Sequence, residues 1–229
     1  MANGSAYRSA TNPESGTVSY HYNPVDNTLN YKHDANQQDT VYTYDSQKRV
    51  TEVQRYPKGK NNAEDTCQQV KYTYDTNPVN AAFSQNAFGR LTVVQYNICV
   101  RGHNQAVTEM YSYTPAGKVT AKQVLISHCG YDYDMNWACG NAPLNATYTY
   151  DGLGQVASAN GAYYGYDSLG RHVSLTDPTI NGQTGNPKVW VQNATYDPGS
   201  RLTTLDTWAG IASQSFEYLN PDGSCCDVE

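Results

Sequence analysis

The sequence predicts an all-β protein: an array of antiparallel β-hairpins joined in one continuous curved, spiralling sheet with no helical layer. Three observations predict it. A short unit recurs six times, in which a tyrosine pair usually precedes a turn-forming residue and a basic or amide residue follows at a recurring offset. The tightest repeat leaves no room for a helix. Tyrosine is used heavily, with 21 Tyr against 3 Phe, and fourteen of the Tyr lie in seven Tyr-x-Tyr pairs. A repeat of this length cannot bury its own apolar face and has to stack on its neighbours.

The clearest copies run from Tyr42 to Arg49, from Tyr148 to Gln155 and from Tyr164 to Arg171. Looser ones run from Ala194 to Arg201 and from Tyr111 to Lys118. In these five the offset from turn residue to basic or amide residue is four; the sixth, Tyr72 to Arg90, carries eleven additional residues between the same ends. Tyr-x-Tyr places two rings on one face of a strand, because side chains alternate with period two. Asp45, Asp75, Asp151, Asp167 and Asp197 then open the turns by accepting backbone hydrogen bonds, while Gly154 and Gly170 take the positive φ that closes a hairpin. Arg49, Arg90, Lys118, Arg171 and Arg201 stand where the chain turns back, and Val or Leu usually begins the return strand.

The shortest repeat supports the hairpin reading. Asp151 and Asp167 are sixteen residues apart, and Asn160-Gly161, a strong two-residue hairpin signal, lies between them. Elsewhere turn residues are 30 to 39 residues apart. The additional length falls in polar stretches, 57–66, 99–106, 127–145 and 177–187, expected to project as loops from one edge while the Asp turns line the other. Residues 76–87 lengthen a turn on the Asp edge. A layer built mainly of tyrosine, whose hydroxyl needs a partner or water, points to one sheet with accessible faces.

The chain has 229 residues, 16% of them charged, and a formal net charge of −6. Mean hydropathy is −0.69. The acidic balance argues against nucleic acid as a partner. No apolar run approaches a membrane span, and no secretory signal is visible at the N-terminus. Six cysteines suggest an oxidising compartment. If Asp75 faces Arg90 across a hairpin, positions whose numbers add to about 165 lie opposite, and Cys67 and Cys99 add to 166. Cys129 and Cys139 bracket a polar insertion. Both are candidate disulfides. The adjacent Cys225 and Cys226 are read as intermolecular, vicinal or free thiols. Reduced packing residues are the alternative for all six.

Familiar chemical constellations are missing. Residues 152–157 fit a loose dinucleotide fingerprint, but no helix follows to meet a pyrophosphate. Asp132, Asp134 and Asn136 open like a calcium loop that then fails at Trp137 and Pro143. The five histidines lack metal-ligand spacing, and a zinc site from His128, Cys129 and Cys139 competes with the disulfide. No nucleophile–base or acid–base arrangement emerges, so the chain is read as non-catalytic and without a cofactor. Trp137, Trp190 and Trp208 are candidate platforms for stacking on sugar rings, with edge packing as the alternative.

The string Tyr166-Asp167-Ser168-Leu169-Gly170-Arg171, with its copies, resembles the YD repeat of the RHS (rearrangement hotspot) and teneurin families over roughly residues 20–219. That resemblance implies hairpins of a long sheet that spirals into a hollow shell, enclosing a toxic polypeptide in bacterial members and serving adhesion outside animal cells. Seven or so hairpins predict a strip, an incomplete shell. The expected organisation is a polar segment 1–19, the array 20–219 and a tail 220–229. The expected role is a secreted or cell-surface structural module, a shell or scaffold segment or a fibre subunit that self-associates through its sheet edges. The alternatives are a glycan-binding adhesion module and part of a toxin-encapsulating shell.

Overall fold

The computed structural model describes residues 6–14, 16–59, 63–100, 103–131, 137–180, 183–207 and 212–218. Sixteen strands lie in an open sheet in chain order, so each strand sits beside its sequence neighbours. Every pair with a described register is antiparallel. One 3₁₀ turn, Thr66–Gln68, is the only helical element among the described residues. None of the described helices is long and apolar enough to cross a membrane.

The chain divides into two compact units, Met1–Asn145 and Ala146–Glu229. The first contains β1 (Ala6–Asn12), β2 (Gly16–Tyr22), β3 (Leu29–His33), β4 (Asp39–Tyr44) and β5 (Val50–Tyr56). It continues with β6 (Val70–Tyr74), β7 (Leu91–Val100), β8 (His103–Tyr113), β9 (Val119–Tyr131) and the start of β10 (Trp137–Tyr150). The second contains the end of β10, then β11 (Val156–Ala159), β12 (Ala162–Tyr166) and β13 (His172–Ile180). β14 (Gln183–Tyr196), β15 (Leu202–Thr207) and β16 (Ala212–Ser215) complete it.

Alternation and register together decide what each face carries. In the first unit Tyr42, Val53, Val70, Tyr96, Val107 and Ile126 stand opposite one another in succession, forming an apolar row across six strands. Val53 and Val107 in that row are buried. On the other face, Val93 pairs with Met110, and both are almost fully inaccessible to water. Cross-strand apolar pairs of this kind are what stabilise a sheet.

Strand extends further than the sequence suggests. The polar N-terminal segment is not irregular: β1 pairs with β2 from Ala6↔Tyr22 to Asn12↔Gly16. The insertions at 99–106, 127–145 and 177–187 are largely strand rather than loop. β7 and β8 pair out to Val100↔His103, and β13 and β14 out to Ile180↔Gln183. Pairing satisfies the backbone donors and acceptors that a long loop would leave to water, and polar side chains suit a sheet with accessible faces. The insertion at 76–87 lengthens the turn between Tyr74 and Leu91 on the Asp edge, as expected, and lies back against β8. Ser84 Oγ donates to Tyr111 O at 2.7 Å, Ser112 Oγ accepts from Gln85 N at 3.1 Å, and Asn86 Nδ2 donates to Tyr113 O at 2.8 Å. It docks on β8 at Ser112, on the same face as Met110.

Candidate functional site

The turns on the Asp edge share one local design. Asp45 N donates to Arg49 O at 3.0 Å, and Asp45 Oδ1 accepts from Gln47 N and Arg49 N, both at 2.9 Å. Asp151 and Asp167 repeat that pattern on Leu153 and Gln155 and on Leu169 and Arg171. Thr114 does the same through its hydroxyl, accepting from Lys118 N at 3.0 Å. Three residues after the turn residue the backbone enters the left-handed region, at Gly117, Gly154 and Gly170 but also at Lys48 and Ser200. Asp75 departs from the design: it takes a positive φ itself and accepts from Gly89 N at 2.5 Å.

A second regularity lies one residue upstream. The register shifts at the second tyrosine of the pair, so that Tyr44, Tyr74, Tyr113, Tyr150, Tyr166 and Tyr196 each sit at a β-bulge opposite the first residue of the return strand. Tyr22, opposite Leu29, shows the same shift. It reveals a further turn, Asn23 to Thr28, in which Asn23 N donates to Thr28 O at 2.8 Å. That copy has one more residue than the five at the offset of four, which hides it from a search at that offset. The pair Tyr20-His21-Tyr22 and the turn-forming Asn23-Pro24 are its sequence signals.

Successive hairpins are tied by the side chains that the repeat supplies. Tyr44 OH donates to Leu29 O at 2.8 Å, Tyr74 OH to Val50 O at 2.9 Å and Tyr113 OH to Leu91 O at 2.5 Å. In the second unit Tyr166 OH donates to Val156 O at 2.9 Å and Tyr196 OH to His172 O at 2.6 Å. Each acceptor is the first residue of the preceding return strand. Burial raises the hydroxyl pKa of Tyr44, Tyr74, Tyr113 and Tyr166, so these remain protonated donors.

The residue four after the turn reaches forward. Arg49 Nε bonds its own Asp45 at 2.6 Å, while Nη1 and Nη2 fork onto the Asp75 carboxylate at 3.2 and 2.5 Å. Its guanidinium also stacks 4.4 Å from the Tyr74 ring centre. Arg171 bonds Asp167 at 2.7 Å, reaches Asp197 O at 3.3 Å and stacks 4.6 Å from Tyr196. Gln155 makes the neutral version, Nε2 to Gly170 O at 2.9 Å. Arg201 bonds Asp197 at 2.6 Å and lies 4.9 Å from the Tyr218 ring. The Arg49 guanidinium, with the Gly89 N–H, holds the Asp75 carboxyl below the usual carboxylate range. At Asp45 burial opposes ionisation, but the Arg49 backbone N–H, its guanidinium and the Gln47 N–H overcome it. Arg49 itself is raised by Asp75 and Asp45.

In the second unit the tyrosine face carries an apolar groove of about 260 Å³, lined among others by Tyr164, Leu175, Val191, Tyr196, Leu202 and Leu205. In the first unit the same face carries a charged cluster that the sequence did not announce. Glu109 lies 2.8 Å from Lys122 Nζ and accepts from Tyr96 OH at 3.1 Å and from Tyr111 OH. Burial works to raise the Glu109 pKa, but these donors hold it down, and the group's hydrogen bonds are satisfied internally. At the other edge His33 Nδ1 and Asp39 Oδ1 are 2.5 Å apart beside a cavity of about 340 Å³ that Tyr56 and Lys58 also line.

The remaining sequence candidates are placed as follows. Cys67 and Cys99 form a disulfide with a Cα–Cα separation of 5.6 Å. Asp65 positions the first of them, accepting from Cys67 N at the head of the 3₁₀ turn. Cys129 and Cys139 fall on β9 and β10, but their side chains lie outside the described residues, as do Cys225 and Cys226 altogether. Trp190 is exposed, with Lys188 Nζ 3.6 Å from its ring centre, so a cation already occupies one face. The Trp137 side chain and Trp208 lie outside the described residues.

No family model and no curated protein sequence matches this chain. Among solved structures it is similar to TcdB2-TccC3, with a TM-score of 0.67 and 12% identity over 95% of this chain. TcdB2-TccC3 without its hypervariable C-terminal region gives 0.65 over 92%. A Tc holotoxin pore of Photorhabdus luminescens gives 0.64 at 12% identity over 87%. The chain spans about a tenth of the length of the first two and 9% of the third. At this identity the likeness is one of fold: a run of antiparallel hairpins laid side by side.

Proposed function

We propose that this chain is a non-catalytic wall segment of an extracellular scaffold that encloses or displays another polypeptide, with its tyrosine face toward that polypeptide. The observation that carries this reading is the pairing of a cross-linked turn edge with a tyrosine face left partly apolar. Arg49, Arg171 and the tyrosine hydroxyls spend the repeat's polar groups on joining hairpins, as a wall requires. The face they support has Leu175, Val191, Leu202 and Leu205 around an open groove, and such a surface favours an apolar covering. The disulfide between Cys67 and Cys99 supports an oxidising location. The fold likeness to Tc toxin structures supports the enclosing form over a fibre.

The test is a photo-cross-linking amino acid placed at Leu205 on the tyrosine face and, separately, at Asn193 on the opposite face, in the protein from its native source. The wall reading expects polypeptide adducts from position 205 and few from position 193. Equal yields from both faces, or none from position 205, count against it.

A further inference from the structure

We propose that the disulfide between Cys67 and Cys99 is a redox latch on one seam of the sheet, the join between β5 and β6, which a small thiol reductant loosens locally. The inference stands on contacts within the first unit. It rests on the scaffold reading only for its consequence, a wall that yields in a reducing compartment.

The seam is short. β5 and β6 pair at Glu52↔Lys71 and Val53↔Val70, the shortest described register in the first unit. β6 and β7, by comparison, pair from Val70↔Tyr96 to Tyr74↔Leu91. Side chains supplement the seam at both ends. At the Asp edge Arg49 forks onto Asp75, and Tyr74 OH donates to Val50 O. At the other edge the 3₁₀ turn Thr66–Gln68 leads into β6 and is tied to the strands on either side of it.

The turn is anchored differently on its two sides. Toward β5, Asp65 N donates to Arg55 O and Arg55 Nη1 to Gln68 O, both at 2.7 Å. Gln54 Nε2 donates to Glu64 at 3.0 Å, and Gln69 Nε2 to Glu52 at 2.9 Å. Toward β7 there are the disulfide and one hydrogen bond, Asn97 Nδ2 to Thr66 O at 3.0 Å. The turn thus straps β5 to β7, and its β7 end depends on one covalent bond. The two anchorages act in series, so release at β7 unfastens that edge of the seam whatever holds the turn to β5.

Both cysteines are half-buried, within reach of a small thiol. A thiolate attacks one sulfur, forming a mixed disulfide and releasing the other cysteine as thiolate; a second thiol then displaces the first. Two protein thiols and one small-molecule disulfide result, the two thiol molecules supplying two electrons and two protons. A single neutral hydrogen bond from Asn97 is a weak substitute for the bond lost. Opening then stays local, at the place where the fewest pairs hold a strand.

Hydrogen exchange of the purified full chain, read by peptide mass with and without a dithiol reductant, tests this. Reduction should speed exchange several-fold in 50–56 and 64–74 and leave 107–113 and 119–126 at the oxidised rate. No change in the first two segments, or an equal rise in all four, overturns the latch. Cys67→Ser with Cys99→Ser should reproduce the reduced pattern without reductant. Reductant should then add nothing in these segments; a further rise assigns the effect to the other four cysteines and overturns the inference. Asn97→Ala should matter little in the oxidised protein and raise exchange at the seam further in the reduced one. An equal effect in both states overturns the strap. Photo-cross-linking from position 205, in the second unit, reads the scaffold role by itself, so either result stands without the other.

Discussion

Arg49 and Asp75 are 26 residues apart in sequence, yet the guanidinium of one forks onto the carboxylate of the other while its Nε remains on Asp45, 2.6 Å away. One side chain thus closes its own hairpin and fastens the next. Lysine cannot reproduce this, since a point charge lacks the planar fork. Arg49→Lys is expected to lower the melting temperature, and Arg49→Ala to lower it further. In a double-mutant cycle, Asp75→Asn should cost much less in the Arg49→Ala background than in the native one. Additive effects would show that the fork contributes nothing to stability.

The same carboxylates give stability a pH dependence of known sign. The Arg171 N–H and guanidinium hold Asp167 below its ordinary range, and those of Arg201 do the same for Asp197. Near the ordinary aspartate pKa the unfolded chain therefore binds more protons than the folded one, and stability falls as pH falls. The contribution is complete above the ordinary value and lost as pH drops through the lowered folded value. Urea midpoints measured from neutral pH downward should decline most steeply in that acidic window. Asp167→Asn should flatten the decline, and an identical slope would refute the assignment.

The disulfide between Cys67 and Cys99 has a sequence separation of 32. Cross-linking a loop of that size stabilises by about 3–4 kcal/mol in the chain-entropy account. Cys67→Ser with Cys99→Ser should lower unfolding free energy by that order in denaturant titration, and reducing agent should have little further effect through this pair. A change below about 1 kcal/mol would mean that the reduced chain keeps the same constraint by packing.

Gly170 has a φ of +79°, and a Cβ there would stand 2.8 Å from Gln155 Nε2, the group that bonds Gly170 O. Gly170→Ala should cost about 1–2 kcal/mol from the left-handed backbone alone, plus the displacement of Gln155. Gly152 is the control: a Cβ there meets nothing within 4 Å. Gly152→Ala should be near neutral by thermal melting, and equal losses at both positions would contradict the turn assignment.

The repeat was legible because its chemistry is local. Asp45 to Arg49 closes within five residues, so composition and offset reveal it. The tyrosine pairs announced the face that Tyr42, Tyr96 and Tyr164 occupy. Lys48 and Ser200 were not legible as left-handed positions, because the turn imposes that backbone on whatever residue falls there. The insertions at 99–106, 127–145 and 177–187 look like loops in the sequence because they are polar, and in a sheet with accessible faces polarity is also compatible with strand. The Glu109–Lys122 cluster was invisible because its members come from adjacent strands brought together only by pairing.

By itself the sequence determined the unit: strand with its tyrosine pair, turn and return, each chosen by period, turn chemistry and glycine placement within a few residues. Tertiary structure decided whom each unit holds. That Arg49 finds Asp75, that Tyr74 finds Val50 O, and that the 76–87 insertion lies down on β8 depend on groups distant along the chain. Stacking the hairpins sets their separation, and hydrogen bonds act only at contact distance.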